Sequence, residues 1–328
     1  MGSMLSEPKK EFIDSECGQS LGLSWGVSSI QGWRIEMEDQ HLIVPEIPGL
    51  EGHSLYAVFD GHGGKNAAII ASNKLLSALQ NSSSYSNYVS DKNLEHLCAS
   101  LKQAFMDVDS EMRDMFDPPR SGCTAIAVVV TPTHIVTANA GDSRAALSRA
   151  GENVELSFDH KPVNEVERTR IEKAGGVVAM KRVDGQLAVA RALGDFQFKD
   201  IKLRAEDCKV TANPDLNIQI RCPEDEFVIL ACDGVWDVMS NQECIDTIQR
   251  YVKIGESNPQ FMCEELMEEC LDKGSKDNMS AVIVLFEAGQ QLVTQNMPGI
   301  KVLRDQRDED KAKTQKTKKL HKSQKSKM

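Results

Sequence analysis

Seven segments of the 328-residue chain carry β-branched or alternating apolar residues between Gly, Asp or Pro, a pattern typical of short strands. They are LSWGVSSIQ, RIEMEDQHLIV, SLYAVFD, TAIAVVV, HIVTANA, FVILACD and SAVIVLF. Helical periodicity marks KNAAIIASNKLLSALQ, NLEHLCASLKQAFMDVDSEMRDMF, NEVERTRIEKAG and two segments between Asn241 and Asp272. Because these helices flank groups of strands without alternating with them, the pattern favours layered helices and largely antiparallel sheets over a doubly wound sheet.

The sequence divides into three parts. Residues 1–20 are polar and are predicted to form an N-terminal arm, and residues 21–287 are predicted to form the folded domain. Residues 288–328 lose hydrophobic periodicity and end in KAKTQKTKKLHKSQKSKM, so we expect a flexible Lys-rich tail. The stretch 81–87 (NSSSYSN) is predicted to be a solvent-exposed loop.

The formal charge of −11 conceals a difference between body and tail. Residues 311–328 contain eight lysines and no acids, which leaves −19 on residues 1–310. An acidic body argues against nucleic acid as the main ligand. No run of about 18 apolar residues is present, and the first residues lack the apolar centre of a secretory signal, so we expect a cytoplasmic or nuclear protein.

The nine cysteines form no C-x-x-C pair. This odd, scattered set is more typical of reduced thiols than of a disulfide framework or a zinc site. Cys232 lies beside an aspartate, but its apolar neighbours (VILAC) predict a core position.

Several predicted strands are bordered by aspartates. The residues concerned are Asp60-Gly61, Gly141-Asp142, Asp233 with Asp237 four residues later, and Asp277 before the last strand. An Asp-Gly pair after a strand is, taken singly, an ordinary turn signal. Four such sites together favour convergence of carboxylates at one rim of the core. Carboxylate and carbonyl oxygens select hard cations, so the pattern predicts Mg²⁺ or Mn²⁺.

Two neighbouring segments add candidate residues. In GWRIEMEDQH, strand alternation places Arg34, Glu36 and Glu38 on one face and Asp39 on the other, so the adjacent acids Glu38 and Asp39 both reach one cluster only if the strand bulges or ends there. Arg34 is suited to bind a phosphate group with its planar guanidinium. The alternative, an exposed strand with salt bridges, is plausible for Glu36. In DGHGG, His62 either protonates a leaving oxygen or is structural.

These residues stand in sequence blocks that resemble the metal-dependent serine/threonine phosphatases of the protein phosphatase 2C family. The blocks are GWRIEMED, YAVFDGHGG, SGCTA, ANAGDSRA, DHKPVNEVERTRIEKAGG, RVDGQLAVARALGD, LACDGVWDV and KDNMSAV. They keep the order of the family and span about residues 22–287. Individually these motifs are weak, whereas eight in order are specific.

The resemblance implies an α+β fold: a β-sandwich of two antiparallel sheets flanked by pairs of α-helices, in four α-β-β-α layers. It implies two Mg²⁺ or Mn²⁺ ions and a weaker third. Asp60 would bridge the first two ions, Glu38 and the Gly61 carbonyl would bind one, and Asp233 and Asp277 the other. Asp39 would act through water, and Asp142 and Asp237 would serve the third ion.

The resemblance further implies the chemistry of the site. Hydroxide held between the two ions would attack the phosphorus of phosphoserine or phosphothreonine, Arg34 would hold the phosphate, and His62 would protonate the leaving oxygen. The stretch 163–201 would form a flap that contributes to substrate choice. Phosphorylated proteins are the expected partners, and we expect a monomer.

Two rival hypotheses remain at this stage. A non-catalytic scaffold of the same fold should have lost ligands, but every expected acid is present. A different two-metal phosphoesterase, such as a nuclease, would usually recruit histidine ligands, and the acidic body would repel polynucleotide. The tail is too short and too charged for the extra helical domain of some family members, so partners of that domain are not transferred.

Both ends of the chain carry targeting patterns. MGSMLS matches the pattern for myristoylation of Gly2, the alternative being a cloning remnant before Met4. One myristoyl chain binds membranes weakly, and the lysine tail is a candidate second signal on an anionic leaflet. The tail is equally compatible with a nuclear-localisation signal around KTKK or with a solubilising end.

Overall fold

Two antiparallel sheets form the centre of the computed structural model, which describes residues 4–113, 115, 121–307 and 309. The strands of this part of the chain are β1 (Met4–Ser20), β2 (Leu23–Arg34), β3 (Gln40–Val44), β4 (Ser54–Phe59), β5 (Gly61–His62), β6 (Gly122–Cys123), β7 (Ala125–Val130), β8 (His134–Ala140), β9 (Arg144–Arg149), β10 (Glu152–Glu155), β11 (Val178–Ala179), β12 (Arg182–Val183), β13 (Leu193–Gly194), β14 (Asp215–Ile220), β15 (Asp225–Ala231) and β16 (Met279–Leu285). One sheet has the order β1-β2-β16-β15-β9-β10 and the other β14-β8-β7-β4-β3.

Eight α-helices have defined bounds in the described residues. They are α1 (Asn66–Asn81), α2 (Tyr85–Asp91), α3 (Leu94–Arg113), α4 (Glu165–Lys173), α5 (Asp233–Trp236), α6 (Asn241–Lys253), α7 (Pro259–Asp272) and α8 (Glu287–Gln291). Residues 301–307 are also helical. None of the helices in the described ranges combines the length and apolar character that crossing a bilayer requires.

The central strands are apolar throughout because both of their faces are covered. Tyr56 and Val128 of the five-stranded sheet share a core with Leu147 and Val282 of the six-stranded sheet. Residues that alternate with them pack on helices: the five-stranded sheet packs on α1 and α3, and the six-stranded sheet packs on α6 and α7. The α+β prediction with antiparallel sheets is confirmed, and the packing agrees with helices outside two central sheets.

The N-terminal arm predicted for residues 1–20 is wrong from Met4 onward. The segment Met4–Ser20 is the edge strand β1, paired antiparallel with β2. Phe12 packs against the core beneath α6 and α7, and the Ser15 hydroxyl lies 2.7 Å from that of Ser28. An edge strand with a solvent-facing side tolerates many polar residues, so the sequence pattern did not identify this segment as a strand.

The start of the predicted flexible tail at residue 288 also needs correction. Ile300 is 1% exposed and packs in the same core as α6 and α7. Arg304 donates to Glu264 of α7 at 2.8 Å. Several apolar contacts and paired charges therefore attach residues 288–307 to the domain, although the segment has no hydrophobic period. The lysines of 311–328 lie outside the described residues.

Two local predictions differ from the structure. The strand predicted across RIEMEDQHLIV is interrupted, since β2 ends at Arg34 and β3 begins at Gln40. The exposed loop predicted for 81–87 is wrong, because α2 begins at Tyr85, whose side chain is only 8% exposed. Burial of this aromatic ring outweighs the polar character of its neighbours.

Candidate metal centre and active site

The strand ends named above converge on one cleft of about 600 Å³. Nine of the predicted site residues line it: Arg34, Glu38, Asp60, Gly61, His62, Asp142, Asp233, Asp237 and Asp277. Asp39 lies deeper, with 2% of its surface exposed, and its carboxylate accepts a hydrogen bond from the Ser280 hydroxyl at 2.8 Å. Gly2 lies outside the described residues. The structure thus brings together acids that are up to 239 positions apart, as Glu38 and Asp277 are.

Asp60 follows directly on β4, at the point where the chain turns into β5. Its backbone N–H faces the Thr124 hydroxyl at 3.3 Å, and its carbonyl accepts from the Thr124 N–H at 2.9 Å. A side chain on Gly61 would meet the Glu38 carbonyl oxygen at 2.3 Å. Glycine is therefore required at this position because the Asp60 turn crosses close over the Glu38 backbone.

Asn278 holds the segment that carries Glu38, and the sequence interpretation missed this residue. Its side chain accepts from the Glu38 N–H at 3.0 Å and donates to the carbonyls of Gln31 and Glu36 at 2.8 and 3.0 Å. These bonds replace strand pairing where β2 ends. Strand alternation would place Glu38 and Asp39 on opposite faces. Because the chain bends between β2 and β3, both acids can nevertheless approach the same cluster. The block KDNMSAV contained the residue, but only its aspartate was singled out.

The remaining acids are fixed by turns at the ends of strands. Asp142 follows Gly141, whose φ of +133° suits glycine, and a Cβ there would meet Thr124 at 2.5 Å. Asp233 begins the short helix α5, and Asp237 follows that helix. These backbone constraints set where each carboxylate enters the cleft.

The electrostatics of the cleft disfavour so many ionised acids. Burial, reinforced by the neighbouring Asp233, raises the pKa of Asp60 well above its ordinary value. Burial likewise raises the pKa of Asp233 to about 8 and that of Asp39 to about 7. Two cations offset part of this charge: Arg34 donates to Asp277 at 2.5 Å, and Lys161 pairs with Asp142.

The donor set fits a hard divalent cation. Six carboxylates face the cleft against three cationic side chains, Arg34, Lys161 and Arg182. One oxygen of buried Asp39 has no hydrogen-bond partner. Oxygen donors crowded in this way are what Mg²⁺ and Mn²⁺ bind, and bound cations would favour the ionised acids.

His62 has a partner that the sequence interpretation also missed. Its Nε2 lies 2.6 Å from a carboxylate oxygen of Asp195, which is 1% exposed. Burial alone would lower the pKa of His62, but the Asp195 charge raises it above its ordinary value. A Cβ on Gly122 would meet the Asp195 carboxylate at 2.2 Å, so glycine makes this contact possible. Asp195 ends the block RVDGQLAVARALGD, which was the available signal.

Part of the stretch 163–201 reaches the cleft. Arg182, Leu187, Ala188 and Val189 contribute to its lining. This wall of the cleft therefore combines one cationic side chain with apolar ones.

Comparisons with known proteins agree with this fold and site. A crystal structure described as a phosphatase from a pathogenic strain of Toxoplasma gondii superimposes with a TM-score of 0.73 at 25% identity, covering 85% of this chain and 96% of that one. Rat protein phosphatase 1B is 41% identical over 297 residues, covering 87% of this chain and 76% of the relative. Human protein phosphatase 1A is 39% identical over 293 residues, with coverages of 87% and 76%.

The fold and the acidic cleft thus define the class of protein phosphatases. The model of the protein phosphatase 2C family matches residues 23–279. The chain therefore belongs to the protein phosphatase 2C family and is a protein serine/threonine phosphatase.

Proposed function

We propose that the cleft removes phosphate from phosphoserine and phosphothreonine side chains of proteins with the help of two Mg²⁺ or Mn²⁺ ions. The observation that carries this proposal is the convergence of six carboxylates on one cleft with too few cations to balance them. Glu38, Asp60, the Gly61 carbonyl, Asp233 and Asp277 would hold the two ions. Asp142 and Asp237 would hold a third ion. Asp39 would support these metal ligands from beneath the cleft. When bound, the ions supply positive charge at the phosphate oxygens and a nucleophilic hydroxide near neutral pH.

Arg34 is proposed to bind the phosphate group. Its side chain is 44% exposed at the edge of the cleft, where it pairs with Asp277. A planar guanidinium binds two phosphate oxygens at once and neutralises charge that builds up on them. Because Arg34 is already beside the acids, a phosphate placed between them would meet both.

His62 is proposed to give a proton to the departing serine or threonine oxygen. The contact with Asp195 engages Nε2 and leaves Nδ1 to hold the transferable proton. The Asp195 charge favours the protonated ring, so the acid is present in the resting enzyme. Alkoxide leaving groups need this proton, since they are strong bases.

The proposal is tested with a phosphothreonine peptide, Mn²⁺ and EDTA. We expect phosphate release with Mn²⁺ and none after chelation, with activity restored when Mn²⁺ is added again. Equal activity in EDTA would contradict the use of metal ions. The lysine tail and Gly2 are proposed to influence cellular location and to be dispensable for hydrolysis.

A further inference from the structure

A buried ion pair outside the cleft joins helix α3 to the turn that carries Asp195. Asp109 of α3 and Lys199 are each 5% exposed, and their charged atoms lie 2.6 Å apart. Two apolar side chains of similar size are often at least as stabilising as a buried ion pair, because the charges lose their hydration. Stability alone therefore does not explain the pair, and its other contacts indicate what it does.

Both members of the pair bind the backbone just before Asp195. The Oδ1 atom of Asp109 accepts the Gly194 N–H at 2.7 Å as well as the Lys199 ammonium. The same ammonium donates to the Ala192 carbonyl at 2.8 Å. These contacts attach residues 192–194 to α3.

The backbone at the end of this attached segment has an unusual conformation. Gly194 has a φ of +80°, and Asp195 has a φ of +53° and a ψ of +39°, which is the left-handed region. A residue with a side chain stays in this region only where the surrounding contacts impose it. In this conformation the Asp195 N–H donates to the Ser121 carbonyl at 3.0 Å, and the Asp195 carboxylate lies 2.6 Å from Nε2 of His62.

We propose that Asp109 is a positioning residue for His62. From α3 it fixes the turn of Gly194 and Asp195, and this turn directs the Asp195 carboxylate to the His62 ring. Lys199 balances the charge of Asp109 and adds the Ala192 contact. Asp109 does not line the described cleft, so it acts on the site only through the turn. Its effect on hydrolysis rests on the proposed function, whereas its effect on the contact between Asp195 and His62 does not.

The first test measures this contact by NMR and requires no hydrolysis. The ¹⁵N shift of the His62 Nε2 is recorded on the full chain with Mg²⁺, and His62→Gln identifies the signal by its loss. Asp109→Leu removes the acceptor for the Gly194 N–H, so it should change the shift. Asp109→Asn keeps an oxygen acceptor and should change the shift much less. An unchanged shift in Asp109→Leu, or equal changes in both variants, would overturn the inference.

A second variant covers the case in which Asp109→Leu alone does not fold. Asp109→Leu combined with Lys199→Met replaces the ion pair by two apolar side chains, which removes the unpaired buried ammonium. This double variant also lacks the acceptor for the Gly194 N–H, so it should show the same change of the His62 shift. An unchanged shift in the folded double variant would equally overturn the inference.

The third test compares two leaving groups. Asp109→Leu should lower kcat for a phosphothreonine peptide about tenfold, and kcat for an aryl phosphate, whose leaving oxygen needs little protonation, several times less. Added to Asp195→Asn, it should lower kcat for the peptide by no more than about twofold, since both residues act through one contact. A fully additive loss would mean that the two residues act separately and would overturn the inference.

Asp225 supplies the matched control. It is 2% exposed and, like Asp109, binds both a cationic side chain, that of Arg149, and a backbone N–H, that of Cys222. Asp225→Leu should lower stability but leave the His62 shift and the ratio of the two kcat values unchanged. A change of that ratio in Asp225→Leu as large as in Asp109→Leu would overturn the inference, because any buried acid would then have the same effect. If Asp109→Leu changes the shift but lowers both kcat values equally, the positioning is supported and proton donation by His62 is contradicted.

Discussion

At the scale of single residues, the acids of the cleft are costly to ionise without added positive charge. Asp60 and Asp233 have raised pKa values because they are removed from water and lie near one another. Arg34 and Lys161 are each engaged with a single acid. The two ion pairs leave other carboxylates uncompensated, and this excess of negative charge is the reason for proposing that the cleft binds metal ions.

Replacement of Arg34 separates phosphate binding from the chemical step. Arg34→Ala should raise KM for a phosphopeptide about tenfold or more and lower kcat less, because the proposed contact between the guanidinium and the phosphate forms already in the ground state. Arg34→Lys should recover only part of the affinity, since lysine keeps the charge but loses the fork. Steady-state kinetics measures this, and an unchanged KM in Arg34→Ala would argue against phosphate binding by Arg34.

We expect Asp195 to position His62 and to keep it protonated, so the loss of activity on replacing Asp195 should depend on the leaving group of the substrate. Asp195→Asn removes the charge that favours protonated His62, so kcat for a phosphothreonine peptide should fall by about 10–100-fold. An aryl phosphate, whose leaving oxygen needs little protonation, should be affected several times less. The comparison of kcat for the two substrates measures the effect. An equal loss for both would show that Asp195 acts only on structure.

At the scale of elements, most of the site could be predicted from apolar strands that end in aspartate. The strands ending at Asp60 and Asp233 were recognisable because burial on both faces leaves continuous apolar runs. Asp195 and Asn278 were not recognised, since their roles depend on partners more than 130 positions away. The edge strand β1 was missed because a half-exposed strand has the composition of an arm.

Deletion of residues 1–20 tests whether β1 belongs to the folded domain. Without it the edge of β2 loses its backbone hydrogen bonds and Phe12 leaves the core, so the free energy of unfolding should fall by about 2 kcal/mol or more. Deletion of residues 311–328 is the matched control and should leave the free energy of unfolding unchanged. Urea titration of both truncated chains measures this, and equal stabilities would mean that β1 contributes nothing.

At the scale of the whole molecule, charge is divided between an acidic body and a basic end. The body carries −19 over residues 1–310, and the eight lysines follow it. Part of the acid excess is located in the cleft, where bound divalent ions would reduce it. With the proposed ions bound, a phosphorylated substrate would meet added positive charge in the cleft of an otherwise acidic body. Salt should therefore weaken binding of this substrate less steeply than it weakens binding of a phosphorylated substrate to a basic protein.

The lysine tail is expected to direct location and not chemistry. Replacing its eight lysines by glutamine should redistribute the protein in cells, because both nuclear import and binding to anionic membranes depend on the positive charge. Activity on an aryl phosphate should stay unchanged. Imaging of the two forms measures the redistribution, and an identical distribution would exclude both targeting roles.

Metal binding and hydrolysis measured together test the central claim most directly. Metal-free wild-type protein titrated with Mn²⁺ should release phosphate from a phosphothreonine peptide only as the ion binds. Asp60→Asn should bind Mn²⁺ far more weakly and stay inactive, while Glu36→Gln, an exposed acid outside the cleft, should match the wild type. Hydrolysis by the metal-free protein, or wild-type Mn²⁺ affinity and activity in Asp60→Asn, would contradict the account.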